Sequence, residues 1–189
     1  MKVKYNAPAV LTFTLICVVV LLLSRTVARG LTAAWFMVPG RGGFNAVSVR
    51  SWFTLFSHVA GHADWNHFLS NFAFILLLGP ILEENYGSSS LLIMMALTAV
   101  ITGVLNVLLF RNGLLGASGI VFMMILLASF TNFSRGEIPL TFILVLLIYL
   151  GREIAASFST NNISEFAHIV GGFCGSLFGF FRPAKSRSK

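Results

Sequence analysis

Six stretches of the chain are apolar and almost free of charge, and polar or glycine-containing segments separate them. A transmembrane helix needs about 20 apolar residues to cross about 30 Å of hydrocarbon. Each stretch approaches this length, which predicts an all-α membrane protein with six transmembrane helices. The predicted spans are residues 8–23, 66–82, 89–110, 117–133, 138–157 and 164–181.

Three of these spans need comment. The first has the length of a signal peptide, but no A-x-A-like cleavage site leads into a soluble domain and five more spans follow, so we interpret it as a helix. The fourth is short, which would place its N-terminal end below the membrane surface. The fifth contains Arg152 and Glu153, so its outer end is expected at the interface or against protein.

The connection between the first two spans is the longest in the chain and runs from Arg25 to Asp64. Trp35, Trp52 and several phenylalanines stand in it among glycines. Tryptophan and tyrosine are enriched where a membrane meets water, and long loops without structure of their own are uncommon. We therefore predict a structured loop at the membrane interface.

Composition indicates that lipid is the solvent for much of the surface. Of the 189 residues, 57% are hydrophobic and 10% are charged, whereas soluble domains carry roughly a quarter charged residues. A chain of this length suits one domain. Cys17 and Cys174 lie in apolar spans outside any C-x-x-C pair, as is typical of buried core residues.

The net charge of +7 does not predict nucleic-acid binding, because no basic face with interleaved aromatic residues is found on a folded domain. Basic residues are densest at the C-terminal end, in the tail 183–189 and in Arg182 just before it. A basic tail that follows an apolar span is typical of a cytoplasmic anchor against anionic lipid. We therefore predict that both termini are cytoplasmic.

Three local patterns carry candidate chemistry, and each lies near the start of a predicted span. Residues 67–71 open the second span, residues 116–119 open the fourth, and residues 167–171 open the sixth. Spans two, four and six all cross the membrane in the same direction. The three patterns are therefore expected to meet at one membrane face.

Ser118 has the surroundings of a nucleophile. At the start of a helix, free backbone N–H groups and the positive end of the helix dipole lie beside it, and such groups can hold the oxyanion of a tetrahedral intermediate. Gly116 and Gly119 on either side allow a substrate backbone to come close.

His168 is the candidate base for Ser118. It is expected near the first turn of the sixth span, where a helix N-terminus disfavours the imidazolium form. Gly171, Gly175 and Gly179 recur every four residues on one face of that span. This small-residue pattern permits close packing of helices, which would bring the fourth and sixth spans together.

His67 and Asn71 are four residues apart and therefore share a helix face. Both side chains can donate hydrogen bonds. If they face Ser118, they would complete an oxyanion hole.

Some protease classes are excluded by missing residues. Asp64 is the only aspartate, which excludes a two-aspartate protease, and the H-E-x-x-H pattern of a zinc protease is absent. The only carboxylate close in sequence to His168 is Glu165, which is expected to cap the sixth helix. We therefore predict a Ser118–His168 dyad without a metal ion.

Together these residues resemble the rhomboid family of intramembrane serine proteases, over about residues 50–182. The resemblance implies a single membrane domain over residues 1–189 and a six-helix rhomboid-like bundle. The residues that match the family's spacing are His58, His62, His67, Asn71, Gly79, Glu83, Gly87, the 116–119 motif, Ala167, His168, Gly171 and Gly175. The chain departs from the family at Phe122, where tyrosine is common; the ring can still stack on His168, but a hydroxyl is lost.

The resemblance implies a protein of the plasma membrane that cleaves single-pass membrane proteins in or near their transmembrane segments, without a cofactor. Ser118 and His168 would be catalytic, and His67, Asn71, Gly116 and Phe122 would bind the oxyanion or substrate. His58 and His62 would be structural, as would Gly171 and Gly175.

Two alternatives belong to other functional classes. A catalytically inactive rhomboid relative would bind and escort membrane proteins, although such relatives usually lack the serine or the histidine. A small transporter would carry charged residues deep in its spans, and few are found.

Overall fold

The structure is a computed structural model that describes residues 4–130, 140, 143–144, 147–148 and 162–181. Its described elements are helices, which confirms the mainly helical class predicted from the sequence. They are α1 (Pro8–Arg25), α2 (Leu31–Trp35), α3 (Val49–Ser57), a 3₁₀ turn (His58–Ala60), α4 (Trp65–Tyr86), α5 (Ser88–Leu109), α6 (Ser118–Phe130) and α7 (Asn162–Phe181).

Within the described residues, α1, α4 and α5 are long and apolar enough to cross a membrane. The apolar parts of α6 and α7 are shorter. The predicted fifth span, 138–157, lies mostly outside the described residues, as do Arg182 and the tail 183–189. The count of six crossings therefore stays a prediction.

One carboxylate joins the ends of three helices. Glu83, buried near the end of α4, accepts hydrogen bonds from the backbone N–H groups of Ala9 (2.9 Å) and Val10 (3.0 Å). The hydroxyl of Ser88, at the start of α5, donates to the same carboxylate at 2.6 Å. The start of α1, the end of α4 and the start of α5 therefore lie at one face of the molecule.

The opposite face holds the end of α1 and the start of α4. The guanidinium of Arg25, the last residue of α1, donates to the carbonyl oxygen of Ala63. Asp64 caps α4, because its carboxylate accepts from the backbone N–H of His67 at 2.8 Å. These contacts fix the N-terminal end of α4, where His67 lies in the first turn and Asn71 in the second.

The long connection between α1 and α4 contains α2, α3 and the 3₁₀ turn. Helix α3 buries Ser51, Thr54 and Ser57 and exposes Trp52 and Phe56. Outward aromatic and inward hydroxyl side chains reverse the pattern of a helix in water. This arrangement suits contact with lipid, and the location of the connection at the membrane interface stays a prediction.

Helix α6 is at the centre of the described bundle. Nearly every side chain from Ile120 to Leu127 is buried, as expected for a helix that is apolar on all sides. Helix α7 packs against it through glycines. A methyl group at Gly171 would overlap the backbone of Gly119, and one at Gly175 would overlap the backbone of Met123. The two helices therefore approach to backbone contact, as small-residue packing allows.

Candidate active site

Ser118 is the first residue of α6 and is partly exposed. The carbonyl of Ala117 accepts from the N–H of Val121 at 3.0 Å, so the helical hydrogen bonding begins there. The N–H groups of the first turn have no partner within the helix. A carbonyl oxygen beside Ser118 would therefore meet backbone donors.

The segment that leads into Ser118 is held by the long connection between α1 and α4. Val38 and Leu114 form an antiparallel bridge with N–H···O distances of 3.0 Å in both directions. The N–H of Gly116 donates to the carbonyl of His58 at 2.9 Å. Gly116 has a φ of +112°, a conformation that glycine tolerates best. Ser118 is thus preceded by a tightly defined turn.

His168 lies beside the first turn of α6. Its ring stacks on the ring of Phe122, with centroids 4.2 Å apart and planes inclined by 6°. Phe122 follows Ser118 by four residues and so lies one helical turn away on the same face. The contact between Gly171 and Gly119 fixes the neighbouring turns of the two helices.

One expectation about His168 is wrong. Helix α7 begins at Asn162, so His168 is its seventh residue and lies in the second turn. The influence of a helix dipole falls off within the first turn, so the observed position of His168 does not support the expected dipole effect. Glu165 is the fourth residue of α7, and its role as a cap stays a prediction.

His67 and Asn71 lie on α4 and face Gly116. The position that a Cβ atom would take at Gly116 is 2.6 Å from His67 Nε2 and 3.8 Å from Asn71 Nδ2. Asn71 is buried, and its Nδ2 has no hydrogen-bond partner within the described part of the chain. His67 and His168 are close enough to interact electrostatically. The structure thus brings the three sequence patterns to one place.

His62 lies behind His67 in an aromatic environment. Its ring meets those of His67, Phe68 and Phe72 edge-on, with centroid distances of 5.1 to 5.6 Å. Neither ring nitrogen has a hydrogen-bond partner among the residues that the structure describes. Burial and, to a lesser extent, the neighbouring His67 lower the pKa of His62 to about 4, so its imidazole is neutral at pH 7.

His58 is buried between α3 and α5. Its Nδ1 lies 3.2 Å from the carbonyl oxygen of Thr54, and its Nε2 lies 3.4 Å from the hydroxyl of Thr102. Burial lowers the pKa of His58 to about 4, although hydrogen bonds to backbone groups oppose the shift. Since its carbonyl also holds Gly116, His58 contacts the site through the backbone.

Sequence reasoning missed the polar face of α5. Thr98, Thr102 and Asn106 are buried and spaced four residues apart, so they form one stripe. A methyl group at Gly119 would touch Thr102 at 3.3 Å. Asn106 donates to the carbonyls of Pro39 (3.3 Å) and Asn112 (3.1 Å). Polar residues at this spacing in an apolar span were the available signal.

These groups form a polar site within an apolar helical bundle, with a hydroxyl at a helix start, an imidazole on a neighbouring helix and two side chains with donor groups opposite. Among the described residues, no group of three histidine, cysteine, aspartate or glutamate side chains could hold a metal ion. The apolar helices and this polar site define an integral membrane protein.

Comparison with known proteins identifies the family. A model of the rhomboid domain matches residues 49–185. Over 127 residues the chain is 24% identical to rhomboid protease GlpG of Haemophilus influenzae, covering 66% of each protein. Over 131 residues it is 26% identical to rhomboid-like protein 11, chloroplastic, of Arabidopsis thaliana, covering 68% of this chain and 44% of that protein. The chain belongs to the rhomboid family.

Proposed function

We propose that this protein is an intramembrane serine endopeptidase that hydrolyses peptide bonds in or near the transmembrane segments of single-pass membrane proteins. The observation that carries the proposal is the stack of His168 on Phe122, one turn from Ser118. This contact leaves the imidazole beside the start of α6. A hydroxyl and a neighbouring imidazole are the two groups that a Ser–His dyad requires.

In the proposed reaction the Ser118 oxygen attacks the scissile carbonyl carbon while its proton passes to His168. The tetrahedral intermediate collapses to an acyl-enzyme, and His168 gives the proton to the leaving amine. A water molecule then attacks the ester carbonyl while His168 accepts a proton from it, and His168 returns that proton to the Ser118 oxygen as the C–O bond breaks and the carboxylic acid product leaves. Each step uses only side chains of this chain and water, so the proposed mechanism requires no cofactor.

The developing oxyanion would be held from two directions. The backbone N–H of Ser118 supplies one donor, and His67 and Asn71 supply the others from α4. The proximity of both side chains to Gly116 supports this role, as does the unpartnered Nδ2 of Asn71. The stacked position of Phe122 supports a role in orienting His168 and in binding substrate.

We further propose that the termini are cytoplasmic and that the protein resides in the plasma membrane. The site lies at the face opposite the start of α1, so it would open towards the non-cytoplasmic side. Single-pass proteins whose helices unwind easily near small residues would be the substrates, and nucleic acid would not be a partner.

Ser118→Ala in proteoliposomes with a fluorescent single-pass reporter tests the nucleophile. We expect cleavage to be abolished, because no other hydroxyl occupies the start of α6. Ser129→Ala is the matched control, since Ser129 lies on the same helix and donates to the carbonyl of Ile125 at 3.1 Å. Cleavage by Ser118→Ala at the parent rate would refute the assignment.

Labelling of the folded protein with a fluorophosphonate probe, followed by mass spectrometry, distinguishes an enzyme from an inactive relative. An adduct on Ser118 that is absent in His168→Ala would support the dyad. A folded protein without an adduct would favour a rhomboid-like factor that binds and escorts membrane proteins.

His67→Ala and Asn71→Ala test the oxyanion role. Losing one oxyanion donor lowers kcat by roughly 10²–10³, so each variant should retain measurable cleavage, unlike Ser118→Ala. Parent-level cleavage by both variants would contradict the role.

A further inference from the structure

Arg25 makes a long-range contact that the proposed reaction does not use. It ends α1, and its guanidinium donates to the carbonyl oxygen of Ala63, 38 residues further along the chain. Both residues are exposed. The contact ties the end of one helix to the segment that leads into another.

Ala63 also forms a hydrogen bond with the imidazole ring of His67. The backbone N–H of Ala63 donates to His67 Nδ1 at 3.4 Å, while Asp64 accepts from the backbone N–H of His67. An Nδ1 that accepts a hydrogen bond carries no proton, so the neutral ring bears its proton on Nε2. Nε2 is the nitrogen that faces Gly116.

The Ala63–His67 contact is sensitive to small movements. A distance of 3.4 Å lies beyond the usual range of about 2.7–3.2 Å for this bond. A slight displacement of Ala63 would therefore release the ring and allow the other tautomer, which has an acceptor at Nε2. An acceptor there would repel an oxyanion rather than bind it.

We propose that Arg25 is a positioning residue, which holds Ala63 so that neutral His67 presents its Nε2–H towards Gly116 and the oxyanion. The proposal rests on the proposed function for its catalytic consequence. The contact between Arg25 and Ala63 and the tautomer of His67 can be tested without it.

The kinetic test compares variants in proteoliposomes. Arg25→Ala should lower kcat about three- to tenfold, as fits the loss of one exposed charge-assisted contact, with KM and Tm unchanged. Arg25→Lys should recover most of the rate, because an ammonium can still donate to the Ala63 carbonyl. Arg29→Ala, which changes another exposed arginine in the same connection, is the matched control and should keep the parent rate.

A double-mutant cycle separates positioning from general stability. In a His67→Ala background, Arg25→Ala should cause no further loss of kcat, because the ring that it positions is gone. An equal fold-loss in both backgrounds would overturn the proposal, as would a fall in Tm that accounts for the lost rate.

The tautomer is measured directly by NMR of the ¹⁵N-histidine-labelled protein. The His67 signals are assigned by their absence in His67→Ala. The parent should show the Nε2–H tautomer and Arg25→Ala a mixture of both. An unchanged tautomer in Arg25→Ala would overturn the proposal, and this result does not depend on whether the protein cleaves a substrate.

Discussion

The two sides of Ser118 are built differently. On the α7 side, contact is made by packing: Gly171 lies against the backbone of Gly119, and the His168 ring is stacked on Phe122. On the α4 side, contact is polar and longer. His67 is held by a hydrogen bond of 3.4 Å, and Asn71 Nδ2 is unpartnered within the described part of the chain.

The difference separates a rigidly packed imidazole on the α7 side from polar side chains on the α4 side that can still accept a new partner. Close-packed backbone leaves little freedom, so the imidazole keeps its place beside α6. A buried donor without a partner costs about 1–3 kcal/mol. An oxyanion that satisfies such a donor would recover part of this free energy, so the unpartnered side is the one suited to binding a charge that appears only during reaction.

The largest expected effect on cleavage comes from disrupting the close contact between α6 and α7 beside Ser118. In Gly171→Ala the added methyl group would overlap the Gly119 carbonyl, so α6 and α7 must separate. We expect cleavage to fall by about 10², since a displacement near 1 Å can cost that much. We expect the free energy of unfolding to fall by about 1–3 kcal/mol. Reporter cleavage and thermal unfolding in detergent measure the two effects.

Gly172→Ala is the matched control for this change. The next residue of the same helix has room, since a methyl group there would lie 3.5 Å from the Leu126 side chain. Its cleavage rate and Tm should match the parent. Equal effects at Gly171 and Gly172 would contradict the account of the packed interface.

A smaller effect is expected from disturbing the polar side. In Gly116→Ala the new Cβ would lie 2.6 Å from His67 Nε2, so the ring must turn away and one donor is lost. We expect kcat to fall by roughly 10²-fold or less. Gly42→Ala shares the positive φ, at +85°, but has open space around it. Gly42→Ala should cleave at the parent rate. A comparable loss of kcat in Gly42→Ala would indicate that backbone strain, and not contact with His67, lowers the rate in Gly116→Ala.

The smallest expected effect is on the pH dependence of stability and concerns His62, whose ring lies against that of His67. Its pKa is about 4 in the folded protein and near 6.5 when exposed. Between these values the unfolded chain binds a proton that the folded protein does not, so stability is lost as pH falls from 6.5 towards 4. His62→Phe fits the surrounding aromatic rings and removes this proton.

Tm measured against pH in detergent tests this prediction. The parent Tm should fall over that range, and the decline should be shallower in His62→Phe. Parallel curves for the two proteins would contradict the assignment of His62 as a buried neutral imidazole.

Much of the helical architecture could be predicted from hydrophobicity. The spans 66–82 and 89–110 correspond to α4 and α5 within a few residues, because uncharged apolar runs of that length have few alternatives. The gathering of residues 67–71, 116–119 and 167–171 followed from the parity of the crossings. These segments could be recognised in the sequence because histidine, asparagine and serine side chains stand out within apolar spans.

Contacts made by backbone groups could not be predicted. The Val38–Leu114 bridge, the hydrogen bond from Gly116 to His58 and the Arg25–Ala63 contact join segments far apart in sequence. A carbonyl or N–H group is present at almost every residue and leaves no pattern. The sixth span was predicted to begin at residue 164, whereas α7 includes Asn162 and places His168 in its second turn.

The Glu83 carboxylate sets an order for biogenesis. It accepts from Ala9 and Val10, which are 74 and 73 residues earlier in the chain. The first turn of α1 is therefore synthesised long before Glu83. The backbone N–H groups of Ala9 and Val10 cannot form these hydrogen bonds until the end of α4 has been translated. The N-terminal end of α1 is thus stabilised by a helix that is made later. Nascent chains that end before residue 83 would lack these two hydrogen bonds.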